Sequence, residues 1–272
     1  MKLVMTLLVR DEADIVRANI RHHLDAGVDF IVATDNGSID GTVEVLEEFQ
    51  RAGVLHLRHD GDEAFDQARL TTEMAMLAHE RFDADWVLSN DADEFWCGPL
   101  RETVVSTPAN LLFCRRANRI AARDQAWSFA AARHLAAAPK PDAAAELLRP
   151  IQPKVLVRAV DLVRLTQGCH NAEMREARPA LAREILIRHF PIRGRDHFIR
   201  KAVAGGAAYA RNADLDPRLG GHWRRWHAEI EAGRADIAYA AVVPDTTELA
   251  TALDEGTVIE DTVLRFDGES PA

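Results

Sequence analysis

The chain has 272 residues, 47% of them apolar and 28% charged, the balance of an ordinary soluble globular protein able to bury one substantial core. Its 43 acidic against 33 basic side chains leave a net charge of −10, which argues against broad electrostatic binding to nucleic acid or an anionic membrane. Three widely spaced cysteines, Cys97, Cys114 and Cys169, form no Cys-x-x-Cys pair, so neither a disulfide framework nor a thiolate zinc site is indicated.

Residues Leu3 to Val9 are almost continuously apolar, as in a strand covered on both faces. Arg10-Asp11-Glu12 ends this run before a secretory leader could form, and no later run approaches the roughly 20 residues of a membrane-spanning helix. A cytoplasmic location without a transmembrane segment is expected. From about Asp14 to Ala26 the apolar residues Ile15, Ala18, Ile20 and Leu24 recur at helical spacing, with Gly27 as the stop. "FIVATD" is a second strand, "NGSIDGT" a turn opening the helix "VEVLEEFQRAG", and "VLHLRH" a third strand. A helix from about Phe65 to Arg81 and the strand "DWVLSND" follow.

This β-α alternation predicts an α/β fold, a mostly parallel (mixed) sheet sandwiched by helices, with ligands bound outside the carboxyl ends of the strands. The expected division is an α/β half over 1–113, the rest of the same domain as an extension over 114–252, and a peripheral acidic tail over 253–272. Within the extension, an Ala-rich, Pro-punctuated stretch at about 130–153 reads as a surface excursion. "KVLVRAV" and "EILIRHFPI" read as strands. "GRDHFIRKAVAGGAAYARN" is a helix weakened in its middle by Gly205-Gly206, and "HWRRWHAEIEAG" a short amphipathic one.

The chemistry gathers at strand ends. "VLSNDADEFW" sets Asp91, Asp93 and Glu94 against apolar flanks, where like charges repel unless a cation shares them or one takes a proton. Strand geometry would point Asp91 and Asp93 to one side and offer both to a hard divalent cation. The plain alternative is a charged strand-to-loop junction. In "TDNGSIDGT" the turn and the helix cap account for Asn36-Gly37, Asp40 and Thr42. They leave Asp35 free to accept the N–H of a base such as uracil.

"MTLLVRDEAD", "DNGSIDGT" and "DADEFW", in this order and spacing, resemble the nucleotide-sugar-binding half of family 2 glycosyltransferases, which have the GT-A fold. "GCHNAE" and "IRHFPIRGRDHFIRK" are similar to a bacterial branch with a Gly-x-His and a His-Phe-x-x-Arg before a Phe-x-x-Lys, so the resemblance spans about residues 3–205. It implies transfer of a sugar from a nucleotide diphosphate sugar, uridine-linked by expectation, to a carbohydrate or other hydroxyl acceptor, with inversion at the anomeric carbon. Val9, Arg10 and Glu12 would line the nucleoside pocket, Asp35 would meet uracil, and Asp91 and Asp93 would hold ribose and Mn2+ or Mg2+, with Asp93 the direct metal ligand. Helix N-terminal charge explains Asp11 and Glu12 equally well.

His170 and His189 match the branch pattern. One of them would complete the metal shell, His189 being favoured, and a structural role is the alternative for either. Arg193 and Lys201 would neutralise charge growing on the leaving nucleotide, against a solvated basic edge as the alternative. Gln67 and Arg69 are assigned to the donor sugar or diphosphate. Trp223 and Trp226 are assigned to packing rather than to sugar stacking.

The sequence departs from the family pattern in one respect: no Glu-Asp pair follows "DADE". Glu94 and Glu173 are the candidate bases. Three rival readings remain at this stage. A haloacid-dehalogenase-type phosphatase would use Asp91 and Asp93, but on an early strand. A nucleotidylyltransferase would need a Gly-rich basic loop after the first strand, where "RDEADI" stands. A nucleotide-sugar-binding protein without turnover is the third.

Overall fold

The computed structural model describes residues 1–60, 66–127, 133–135, 143–211 and 220–261. The expected excursion at about 130–153, the Phe65 start of the third helix and residues 262–272 of the tail lie partly or wholly outside them.

The first ninety residues alternate strand and helix: β1 (Leu3–Val9), α1 (Val16–Asp25), β2 (Phe30–Asp35), α2 (Thr42–Arg51), β3 (Leu55–His59), α3 (Gln67–Phe82) and β4 (Trp86–Asp91). Strands β4, β1, β2 and β3 lie side by side in that order, all parallel. Side-chain alternation along β1 divides the core into two layers. Leu3, Met5, Leu7 and Val9 pack with Val16 and Ile20 of α1 and Leu46 of α2. Val4 and Leu8 turn the other way, onto Leu70, Met74 and Ala78 of α3. All seven residues of β1 are therefore buried, which is why it reads as one apolar run.

Beyond β4 the chain builds β5 (Glu94–Cys97), α4 (Leu100–Ser106), β6 (Leu111–Ile120), β7 (Arg133–Leu135) and β8 (Lys154–Arg158). Then come β9 (Leu162–Leu165), β10 (Ala172–Met174), β11 (Pro179–His189), α5 (Arg195–Arg211), α6 (Gly221–Glu231), α7 (Ala235–Val242), α8 (Thr246–Asp254) and β12 (Val258–Ile259). β8 enters antiparallel beside β4, β6 antiparallel beside β8, and β11 parallel to β6. The fold is thus the expected α/β one, parallel in its first half and mixed beyond. β9 and β10 form a separate ribbon.

Helices α5, α7 and α8 close a third core of Phe198, Ala202, Tyr239, Val242 and Leu249 around Ile120 and Val258. α5 runs unbroken through Gly205 and Gly206. A Cβ on Gly205 would stand 2.7 Å from the Trp223 ring and one on Gly206 2.3 Å from His227. The glycines let two helices touch, and Trp223 and Trp226 meet edge to face in this contact zone, with Trp226 also against Phe198.

The tail is not peripheral as far as residue 261. β12 pairs with β7, Val258 is buried, and the enclosed Asp261 carboxylate sits between the buried guanidinium groups of Arg119 and Arg188.

Two contacts tie β5 into the molecule. Gly98 has φ +132, and a Cβ there would lie 2.4 Å from the Glu184 carbonyl oxygen, beside the irregularity between Ala182 and Leu186 in β11. His23, fully buried, accepts the Trp96 N–H at Nε2 (3.2 Å) and so donates from Nδ1 to the Asn19 carbonyl (2.8 Å). Burial, with help from His22, pushes its pKa down to about 3.

Gly98→Ala should therefore cost about 1–3 kcal/mol of overpacking, read as a lower urea midpoint. For His23, the folded pKa lies below the unfolded 6.5, so the unfolded chain takes up the extra proton. Stability from this group is complete above about pH 6.5 and falls as pH drops towards 3, at up to about 1.4 kcal/mol per pH unit. The His23 ring resonance in an NMR titration should stay unshifted from pH 8 to pH 5.

Candidate active site

β4 ends at Asp91, and a two-residue turn at Ala92-Asp93 reverses the chain into β5. The two aspartates consequently diverge, and each has its own lysine. Asp91 Oδ2 lies 2.6 Å from Lys154 Nζ, and its Oδ1 accepts from Gln67 Nε2 at 3.4 Å. The same ammonium is 2.7 Å from Glu94 Oε2, and Arg116 reaches Glu94 Oε1 at 2.7 Å. Lys154 and Glu94 have no exposed side-chain surface. Burial works against the ammonium, but Asp91 and Glu94 outweigh it and hold its pKa above the ordinary value. The charge at the end of β4 is balanced first by lysines, not by one cation shared between two parallel aspartates.

This corrects the role of Glu94. A fully enclosed carboxylate held by Lys154 and Arg116 is a counter-ion and has no route to an acceptor. Glu173 is no better placed, being exposed on β10 opposite Arg164 (3.6 Å). Asp91 and Asp93, the pair a phosphatase would use together, are turned apart onto separate lysines.

Asp93 faces the other way. Its Oδ2 is 2.5 Å from Lys201 Nζ on α5, and Lys201 also donates to Glu12 Oε1 at 3.2 Å. Glu12 pairs in turn with Arg193, whose fork holds Asp14 at 2.6 and 2.8 Å. Arg193 is thereby buried and committed to the loop after β1, a clamp between distant segments and not a cation free for a diphosphate. Glu12 is likewise a buried member of this network and does not line an open pocket. Lys201 keeps a quarter of its side chain exposed. Burial disfavours the Asp93 charge, yet Lys201 and, less strongly, Arg193 hold its pKa well below the usual carboxylate range.

His189 completes this corner, its Nε2 3.7 Å from Asp93 Oδ1. Its tautomer follows from its neighbours. Asn118 Nδ2 donates to the Leu147 carbonyl, so Asn118 Oδ1 faces His189 Nδ1 (2.8 Å), which must carry the proton. Burial holds the imidazole neutral. Nε2 therefore turns a lone pair towards a carboxylate oxygen with no proton between them. Two such donors fit a hard divalent cation such as Mn2+ or Mg2+ whose other positions are taken by phosphate and water. No group of three or more His, Cys, Asp and Glu side chains able to hold a metal is found among the described residues, so the protein alone makes no closed cage.

The remaining candidates are placed as follows. Val9 and Asp35 are register partners at the ends of β1 and β2, and the Val9 carbonyl accepts the Asn36 N–H. Asp35 is buried and accepts the Gly37 and Ser38 N–H groups at 3.1 and 3.2 Å, bracing its own turn. Arg10 is exposed, 3.8 Å from Asp11. Arg69 sits on Glu73 at 3.0 Å, out along α3. His170 is half-buried on the Pro153 carbonyl (2.8 Å) and is not brought to Asp93. Lys154, Arg116, Asp14 and Asn118 were not foreseen. Lys154 alone left a trace, as a charge at the head of an apolar strand.

No protein-family model matches the sequence, and no curated protein matches it. Among solved structures, TarS 1-349 of S. aureus is 11% identical over 93% of this chain and 78% of its own, with a TM-score of 0.48. The same TarS fragment in complex with UDP-GlcNAc is also 11% identical, over 86% and 73%, with a TM-score of 0.48. A putative glucose-1-phosphate thymidylyltransferase of Bacillus anthracis is 10% identical over 100% and 98%, with a TM-score of 0.34. Likeness at this level speaks of neither activity nor ligand.

Replacing Lys154 by Met strips the compensating charge from two carboxylates, one of them fully buried, and should cost about 3–5 kcal/mol. Adding Glu94→Gln should recover part of that loss, so that the double variant unfolds at higher urea than K154M alone.

Proposed function

We propose that the chain is a glycosyltransferase of the GT-A type, taking a sugar from a uridine diphosphate sugar and passing it, with inversion, to a hydroxyl acceptor. The observation that carries this reading is the facing pair of lone-pair donors, Asp93 Oδ1 and His189 Nε2, beside the part-exposed Lys201 at the carboxyl edge of the sheet. The order of the motifs that meet at this edge supports it.

In this reading the nucleoside lies over the ends of β1 and β2, near Val9 and Asp35. The diphosphate lies at Asp93, where Asp93 and His189 would hold Mn2+ or Mg2+. A metal there would supply positive charge against that growing on the departing nucleotide. Lys201 supplies the chain's own positive charge there. Its ammonium is kept charged, since Asp93 and Glu12 outweigh the opposing effect of burial. Asn118 keeps the His189 lone pair aimed, and Arg193 keeps α5 docked so that Lys201 stays in reach.

A thermal-shift panel of nucleotide diphosphate sugars with and without Mn2+ tests the reading, because a ligand that binds only the native state raises its melting temperature. Uridine donors with Mn2+ should stabilise the wild type, and Asp93→Asn or His189→Ala should weaken metal-dependent binding at least tenfold with the fold retained. Equal affinity in both variants, or no response to any donor, would overturn it.

A further inference from the structure

Asp93 offers its two oxygens to different partners. Oδ1 stands 3.7 Å from His189 Nε2, and Oδ2 lies 2.5 Å from the Lys201 ammonium. Neither side of this arrangement is loose. The Phe190 N–H donates to the Asp93 carbonyl at 2.8 Å, and His189 is paired in register with Glu94, so imidazole and carboxylate are fixed across one antiparallel ladder. Lys201 is fixed as well. Arg193 Nη1 donates to the Phe190 carbonyl at 3.3 Å and the Arg193 N–H to His197 Nδ1 at 3.1 Å, which ties the start of α5 to the same ladder.

The charges inside this corner cancel. Asp93 and Glu12 face the Lys201 ammonium, Glu12 also faces the Arg193 guanidinium, and burial keeps the His189 ring neutral. Two buried carboxylates thus meet two cations. Asp14, the further carboxylate on Arg193, has about half of its side chain in water, which screens it.

A divalent ion drawn by Asp93 Oδ1 and His189 Nε2 would add two positive charges to this balanced group, with an ammonium held on the other oxygen of the same carboxylate. Alone, it is poorly compensated. A diphosphate by itself meets the converse difficulty, since the part-exposed Lys201 ammonium is already shared by two carboxylates. Together, ion and diphosphate compensate each other and leave the balance of the corner as it was.

We infer that Lys201 makes this corner selective for a divalent ion paired with a diphosphate over either one alone, an inference that rests on the glycosyltransferase reading above. Its fixed charge lowers the affinity of Asp93 for a free ion and attracts phosphate once an ion shares Asp93. By linkage, whatever factor the diphosphate adds to the affinity for the ion, the ion adds to the affinity for the diphosphate. A lysine that only held α5 in place would loosen both ligands on losing its charge. One that selects by charge moves them in opposite directions.

The test is equilibrium binding without turnover. Free Mn2+ is followed by its electron paramagnetic resonance signal and uridine diphosphate by calorimetry, each titrated into the full chain with and without the other and corrected for the complex the two form in solution. In the wild type each ligand should tighten the other about 5–150-fold. Lys201→Gln removes the charge and keeps an N–H for Asp93, and Lys201→Met removes both. Each variant should bind Mn2+ alone about tenfold more tightly than the wild type, and uridine diphosphate with Mn2+ more weakly. Variants that hold free Mn2+ no more tightly than the wild type overturn the inference, as does a wild type that takes up Mn2+ equally well with and without the nucleotide it binds; the transferase reading then stands. A wild type that binds no uridine diphosphate under any of these conditions overturns both.

Discussion

A single buried ammonium, that of Lys154, makes the acidic end of β4 possible. Asp91 and Glu94 lie three positions apart on either side of a tight turn, and Glu94 has no water to solvate it. An uncompensated carboxylate in that position would protonate or drive the turn open. With Lys154 between them, the turn can stay closed and send Asp93 outward to the opposite side. The geometry of the candidate metal corner is thus set by a charge that does not belong to it.

The second cation cluster works at longer range. Arg193 and Lys201 bring the loop after β1 and the start of α5 together through Glu12, Asp14 and Asp93. These contacts join residues more than a hundred positions apart, and they leave Lys201 as the part-exposed member. Arg193 and Lys201 look equivalent in the sequence, eight residues apart and both basic. Burial separates them: Arg193 is an enclosed fastener, and Lys201 keeps a quarter of its side chain exposed.

That contrast marks where the sequence was legible. The parallel half could be read from β1, apolar throughout because α1, α2 and α3 cover both its faces, and from the Asn36-Gly37 and Asp40-Gly41 punctuation after β2. Asp93 and His189 could be paired as candidates because their motifs are distinctive. The partners of Asp91, Glu94 and Glu12 could not, since periodicity reports local structure, and Lys154 lies 63 residues from Asp91. Helix α8 was missed although Asp245 and Glu248 form a reciprocal capping box that spacing alone announces. The glycine pair in α5 was misjudged for the opposite reason: its local cost is real, and only the packing of α6 against it explains the choice.

The anchoring of Asp261 between Arg119 and Arg188 bears on how the molecule is made. The parallel strands and their helices contain their own contacts and can assemble while the ribosome is still at work. The Asp261 carboxylate that pairs with Arg119 of β6 and Arg188 of β11 is made some seventy positions after Arg188. Synthesis from the amino end therefore makes the strands of the mixed half well before the carboxylate that joins two of their arginines.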